Sequence, residues 1–227
     1  MMKKSIRIFI CSCSILLLCD CKHDIKLSGN DTILSEIDLG LSVKWANMNL
    51  GADKPEDFGK FYALGNVQPF DSIPNTIDLP DNGDEWHDSM GVVFPKYDAA
   101  SYQTNNKWRI PTVEEWIELG EKCKWEWISY NGVEGYYIKG PNGNSIFLPA
   151  AGHTESQYGD ELNGAYRSSF VWDGGSTYNI YFTKPKNAVP PVINMNEDLD
   201  GNGNVYFGTY GCHVPVSVRP VKATQNP

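Results

Sequence analysis

Positive charge is scarce in this chain. Its 227 residues carry 19 Lys and Arg against 28 Asp and Glu, a formal net charge of −9. A nucleic-acid or anionic-membrane surface needs clustered Lys and Arg, so that class of partner is excluded. Histidine is scarce too. His23, His87, His153 and His213 lie scattered in polar or loop contexts and read as surface or hydrogen-bonded side chains rather than ligands. There is no phosphate-binding Gly loop followed by Lys, no Ser-His-Asp spacing and no metalloprotease motif. No internal repeat of about 20–50 residues marks a solenoid.

Long apolar runs are lacking except one. Ile8–Leu18 follows Lys3, Lys4 and Arg7 and precedes Asp20, and it is too short to span a bilayer comfortably. That pattern predicts a secretory signal rather than a core helix. Cys19 follows three leucines, and Cys21 opens the polar stretch Cys21-Lys22-His23-Asp24. A leucine run ending in Cys resembles a bacterial lipoprotein signal, in which the first mature residue is acylated. The resemblance implies lipidation of Cys21, with Cys19 as the alternative, and an outer-membrane anchor carrying palmitate. Residues 1–21 are thus expected to be the signal with its lipidated Cys. Residues 22–36 are expected to be a flexible tether, 37–222 one domain, and 223–227 a tail. Beyond the signal only Cys123 and Cys212 remain. They form one disulfide in an oxidising compartment, or stay apart as two small buried hydrophobes.

What is abundant is glycine and aromatic side chains, 21 Gly and 12% aromatics, with 41% hydrophobic residues overall. The combination predicts many short strands joined by tight turns. Leu41, Val43 and Trp45 alternate with polar or small residues, as in a strand. Residues 58–66, FGKFYALGN, give a second short strand. Trp125–Tyr130, Asn131-Gly132, Gly135–Gly140 and Ser145–Gly152 read as a three-stranded meander, with the Asn-Gly pair as its hairpin turn. Gly164–Trp172, Thr177–Thr183, Asn204–Gly208 and Val214–Val221 supply further strands. Residues 68–107 are irregular and rich in Pro, Asp and Asn, which is unusual inside a domain and often functional. Their Asp81, Asp84, Glu85, His87 and Asp88 read as solvated loop charge, because no metal-ligand spacing repeats.

One helix is well signalled. Thr112 is placed to cap it and Glu115 to answer as the capping-box partner. Val113, Trp116 and Ile117 share a face, and Glu114 and Glu115 lie where the helix dipole favours acid. Trp108 and Trp116 read as core anchors. Arg109 is expected to hold a paired structural role.

The stretch Trp108–Trp116, WRIPTVEEW, resembles the signature shared by formylglycine-generating-enzyme-like proteins and the Fibrobacter major paralogous domain. DLGLSVKWANMNLGA at 38–52, GPNGNSIFLPAAG at 140–152 and VSVRPV at 216–221 are similar to surface lipoproteins of Bacteroidota type that carry that domain. The resemblance spans about residues 37–222. It implies an α+β, C-type-lectin-like fold of small mixed and antiparallel sheets, with one or two helices and long irregular loops. It also implies that LSVKWA pairs with VSVRPV. Many relatives have an aromatic where this chain has Arg167.

The fold hosts several functions, so the site must choose among them. The enzymes of the superfamily use two cysteines a few residues apart near the C-terminus, and here only Cys212 lies there. Asp198, Asp200 and Asn202 match the first half of a calcium loop, but Thr209 stands where the bidentate Glu belongs. Polar loop is the competing reading, so calcium remains possible and no other cofactor is expected. Trp172, Asp173 and Tyr178 supply aromatic and acidic groups suited to a glycan or protein surface, though such rings also serve as strand packing. The expected function is non-catalytic recognition or adhesion at the cell surface. The alternatives are a formylglycine-generating-enzyme-like oxidoreductase and a structural, pilus-associated subunit.

Overall fold

The computed structural model describes residues 34–70, 86–152, 163–172, 175–185, 193–194 and 204–223. All belong to the compact unit Thr32–Pro227. The architecture is mixed and mostly β, with three small sheets and, among the described residues, two helices.

The first sheet joins the two ends of the domain. β1 (Glu36–Asp38) and β2 (Val43–Ala46) run antiparallel, and β12 (Val221–Ala223) pairs on the other side of β2 with Val221 opposite Trp45. Glu36 binds Lys44 of β2 and Lys222 of β12, so one carboxylate spans the whole sheet. Strand pairing therefore takes in the residue on each side of the expected 37–222 boundaries. The expected pairing of LSVKWA with VSVRPV holds at the end of that segment, through Pro220 and Val221, but not at its start. β11 (Val216–Ser217) pairs instead with β3 (Phe61–Tyr62) and β7 (Asn163–Trp172) of the second sheet. Pro220 is the reason for the handover. It has no N–H to give a ladder, but its carbonyl accepts from Ala46 N at 2.8 Å as the chain crosses between sheets.

The second sheet has the order β3-β11-β7-β8-β10-β9, where β8 is Ser176–Thr183, β9 is Ile193–Asn194 and β10 is Val205–Gly211. β7 is its centre and is covered on both faces. This explains why its sequence lacks clean alternation. Its register against β8 shifts between Arg167 and Val171, a bulge that carries two extra residues on β7. The third sheet is the expected meander of β4 (Lys124–Tyr130), β5 (Val133–Lys139) and β6 (Ser145–Pro149). Asn131 and Gly132 both have positive φ, 49° and 86°, as a type I′ turn requires.

The helix α2 (Val113–Lys122) starts at the capping box. Thr112 Oγ1 accepts from Glu115 N at 3.3 Å, and the Glu115 carboxylate accepts from Thr112 N at 2.9 Å. Trp116 is fully buried between Trp45, 4.8 Å away edge-on, and Tyr166 at 6.0 Å. Its indole donates to Arg167 O on β7 at 3.1 Å. A second helix, α1 (Ala99–Gln103), lies within the stretch read as irregular. Asp98 caps it, with one carboxylate oxygen accepting from Ser101 N and the other from Ile110 N. Five residues are too few for a periodic signal.

One buried side chain ties these parts together. Arg219 is fully buried. Its Nε donates to Asn49 Oδ1 at 2.9 Å, Nη1 to Ala46 O at 3.1 Å and Nη2 to Phe147 O at 2.7 Å. Asn49 in turn donates to Phe58 O and to the Tyr166 hydroxyl, which donates to Pro149 O. Removing the guanidinium orphans three buried acceptors on two segments, residues 46–49 and β6. Arg219→Leu is expected to lower unfolding stability by about 3–5 kcal/mol in urea titration. Arg219→Lys should recover less than half of that, since a single ammonium cannot reach three directions as the planar fork does. A loss below about 1 kcal/mol for Leu would show that the tie is not needed.

Candidate functional site

The WRIPTVEEW motif is consumed by the fold. Arg109 Nη1 donates to Glu115 Oε2 at 2.8 Å and to Ile110 O at 3.2 Å, and Nη2 completes a bidentate pair with Glu115 Oε1. The pairing raises the Arg109 pKa, Glu115 being the main cause. Arg109 also exchanges both backbone hydrogen bonds with Val221. Thr112 and Glu115 are spent on the cap, and Trp116 on the core. Trp108 is buried, with Lys222 Nζ 5.5 Å from its ring centre. Of the motif's charged side chains only Glu114 stays exposed, on the first turn of α2.

A different place presents chemistry to solvent. Past the bulge, the end of β7 and the start of β8 carry Phe170, Trp172 and Tyr178. Phe170 and Tyr178 stack at 5.5 Å and 22°. Trp172 stands edge-on to Tyr178 at 5.8 Å and 6.1 Å from Phe170. Tyr178 meets buried Phe207 at 6.4 Å, so the cluster is rooted in the core. Trp172 is nevertheless 51% exposed. The segment 91–93 lies alongside, with Val92 bridged to Phe170 and Val93 N donating to Ser169 O. Gly91 is required there. Its φ is +79°, and a Cβ would fall 2.6 Å from Val171 O and 3.0 Å from the Phe170 ring. Next to it, Met90 is 77% exposed and Phe94 39% exposed. Met90 and Phe94 belong to the irregular stretch 68–107 that the sequence marks as a candidate part of a binding surface; neither is singled out there, because single apolar residues carry no periodicity. Asp173 lies outside the described residues.

The two cysteines of the domain are unbonded. Of the two readings open for Cys123 and Cys212, the structure has two buried thiols acting as small hydrophobes. The reason is packing. Cys123 ends α2 in the cluster around Trp45 and Trp116, whereas Cys212 sits in another cluster with Tyr62, Leu64 and Trp86. Burial pushes both thiols up to about 11, so neither is a nucleophile near neutrality. This pair does not supply the dithiol that the oxidoreductase alternative needs.

His87 Nδ1 lies 2.8 Å from Asp88 O, and His213 is exposed. Cys19, Cys21, His23, His153 and the possible calcium ligands Asp198, Asp200 and Asn202 lie outside the described residues. Among the described residues no group of three or more His, Cys, Asp or Glu could hold a metal ion, and no helix is long and apolar enough to cross a membrane. No family model matches the chain, and no curated protein or solved structure matches it.

The thiols give a direct check. At pH 8 the native protein should react with Ellman's reagent at Cys123 and Cys212 far more slowly than the urea-unfolded chain. The folded thiols titrate higher than unfolded ones, so their contribution to stability is complete below about pH 9 and is lost as pH rises toward 11. Rapid native labelling of both residues would contradict the burial.

Proposed function

We propose that the chain is a non-catalytic surface lipoprotein whose C-type-lectin-like domain recognises a glycan or protein. The observation that carries the reading is the half-exposed Trp172. A large ring left in solvent, while its partners Phe170 and Tyr178 hold it at a fixed angle on a rooted strand end, suits contact with a sugar face or an apolar side chain. Fixing the ring in advance reduces the ordering cost of binding.

The lectin-like reading is supported by the antiparallel pairing of β2 with β12 near the two ends of the domain, by the helix packed on the central strand, and by the motif order of the sequence. Anchoring rests on the sequence of residues 1–21 alone. The calcium reading of Asp198, Asp200 and Asn202 rests on sequence alone as well.

On glycan and matrix-protein arrays the wild type should give a ligand, and Trp172→Ala should weaken that ligand at least about tenfold with unchanged thermal stability. Binding that survives the substitution moves the site elsewhere, and silence on every array favours the structural, pilus-associated reading. For the anchor, a Cys19→Ala, Cys21→Ala double variant should lose labelled palmitate and leave the detergent phase. Retention of both would end the lipoprotein reading.

A further inference from the structure

β7 carries polar groups on the face turned away from Trp116, where a core strand ordinarily carries apolar ones. Arg167 is fully buried, and so is Asn179, its direct cross-strand partner on β8. Ser169, two residues along β7, is buried as well. Arg167 Nη2 donates to the carbonyls of Tyr62, at 3.2 Å, and of Val214. Its Nε and Nη1 have no acceptor among the described residues, and Ser169 Oγ and Asn179 Oδ1 have no partner either. Unmatched donors of Arg167 and an unmatched acceptor of Asn179 thus meet at one cross-strand pair, with the unmatched Ser169 hydroxyl two residues along β7. The apolar wall beside it includes Ala165, Val214 and Val216.

The charge is unmatched too. No carboxylate pairs with Arg167 among the described residues. The ionisable groups that act on it are Cys212 and Tyr181, and the Cys212 thiol is neutral near pH 7 because burial raises it to about 11. A buried guanidinium without a counter-charge is strongly destabilising. A water would occupy the N–H groups but would leave the charge unbalanced. Asn179 completes the picture. Its Nδ2 lies 3.4 Å from the Tyr181 hydroxyl, a long contact. With the amide turned over, the oxygen accepts from that hydroxyl and Nδ2 joins the donors around Arg167. The site then consists of donors around one cation.

We infer that Arg167, Asn179 and Ser169 form an internal site for a small monovalent anion of the halide class. Arg167 Nε and Nη1 bind it directly, and the Asn179 amide and Ser169 hydroxyl position it. A weakly hydrated halide sheds its water at the least cost among common anions, as the apolar wall demands. The site is structural and separate from the Trp172 surface.

The test compares thermal unfolding of the full chain in sodium chloride, sodium bromide and sodium gluconate at constant ionic strength. Chloride and bromide should raise Tm by several degrees in a saturating manner relative to gluconate. Asn179→Asp places a carboxylate opposite Arg167, so it should abolish the halide dependence and raise Tm in gluconate. Crystals of the unaltered chain grown in bromide should show an anomalous peak beside the Arg167 guanidinium. Equal Tm in all three salts, a halide shift that persists in Asn179→Asp, or no bromide peak at Arg167 would overturn the proposal.

Discussion

The fold depends on a single buried cation, the Arg219 guanidinium. Its three donors point to acceptors on two segments far apart in sequence: the end of β2 with the nearby side chain of Asn49, and the middle of β6. A guanidinium is planar and cannot satisfy those directions unless both segments stand at fixed distances around it. The interaction therefore works as a register device as well as a contact. It sets where the C-terminal strand leaves the second sheet at Ser217 and enters the first at Val221. Through Asn49 and the Tyr166 hydroxyl it also sets where the meander ends, at Pro149. The apolar side of the same junction is the run Trp45, Trp116, Tyr166 and Phe182, whose rings pack edge-on, tilted and stacked in turn. Polar direction and apolar mass thus meet at one point.

A frame fixed in this way separates stability from recognition. The motif that stands out most in the sequence, WRIPTVEEW, is spent on the frame except for the exposed Glu114. Arg109, Thr112 and Glu115 satisfy one another, and Trp116 fills the centre. Under the proposed role, contact chemistry falls to the far end of β7, past the bulge, where Trp172 reaches solvent. A bulge is the device that allows this, because it changes which side chains face outward without breaking the strand's pairing with β8.

How much of this is legible in the sequence follows from the range of each interaction. The capping box and the Asn-Gly hairpin are local, so Thr112, Glu115, Asn131 and Gly132 announce them within four residues. The meander shows by its alternation and turn spacing. The buried arginines do not show. Arg219 lies between Val218 and Pro220 in a run that reads as an ordinary strand, and its acceptors Ala46 and Phe147 are backbone carbonyls without sequence identity. Arg167 is hidden for the same reason, since Tyr62 O and Val214 O could belong to any residue. A buried charge that uses carbonyl partners leaves no complementary carboxylate to find. The one available signal is the pattern itself, an Arg among buried valines. The short helix α1 was missed because Asp98 is a cap whose second partner, Ile110, lies beyond the helix altogether.

The two buried arginines also alter how the net charge should be read. The formal value of −9 counts every cation equally. Arg167 and Arg219 are enclosed and cannot meet a partner, so the outer surface is poorer in positive groups than the composition states. Lys44 and Lys222 are engaged by Glu36, Lys122 by Glu118 and Lys184 by Glu134. An anionic ligand approaching the protein therefore meets a net charge of its own sign. Under the proposed recognition role, the physical balance favours a neutral glycan or a basic protein surface over a sulfated or phosphorylated one. Affinity then has to come from the rooted aromatic faces rather than from charge.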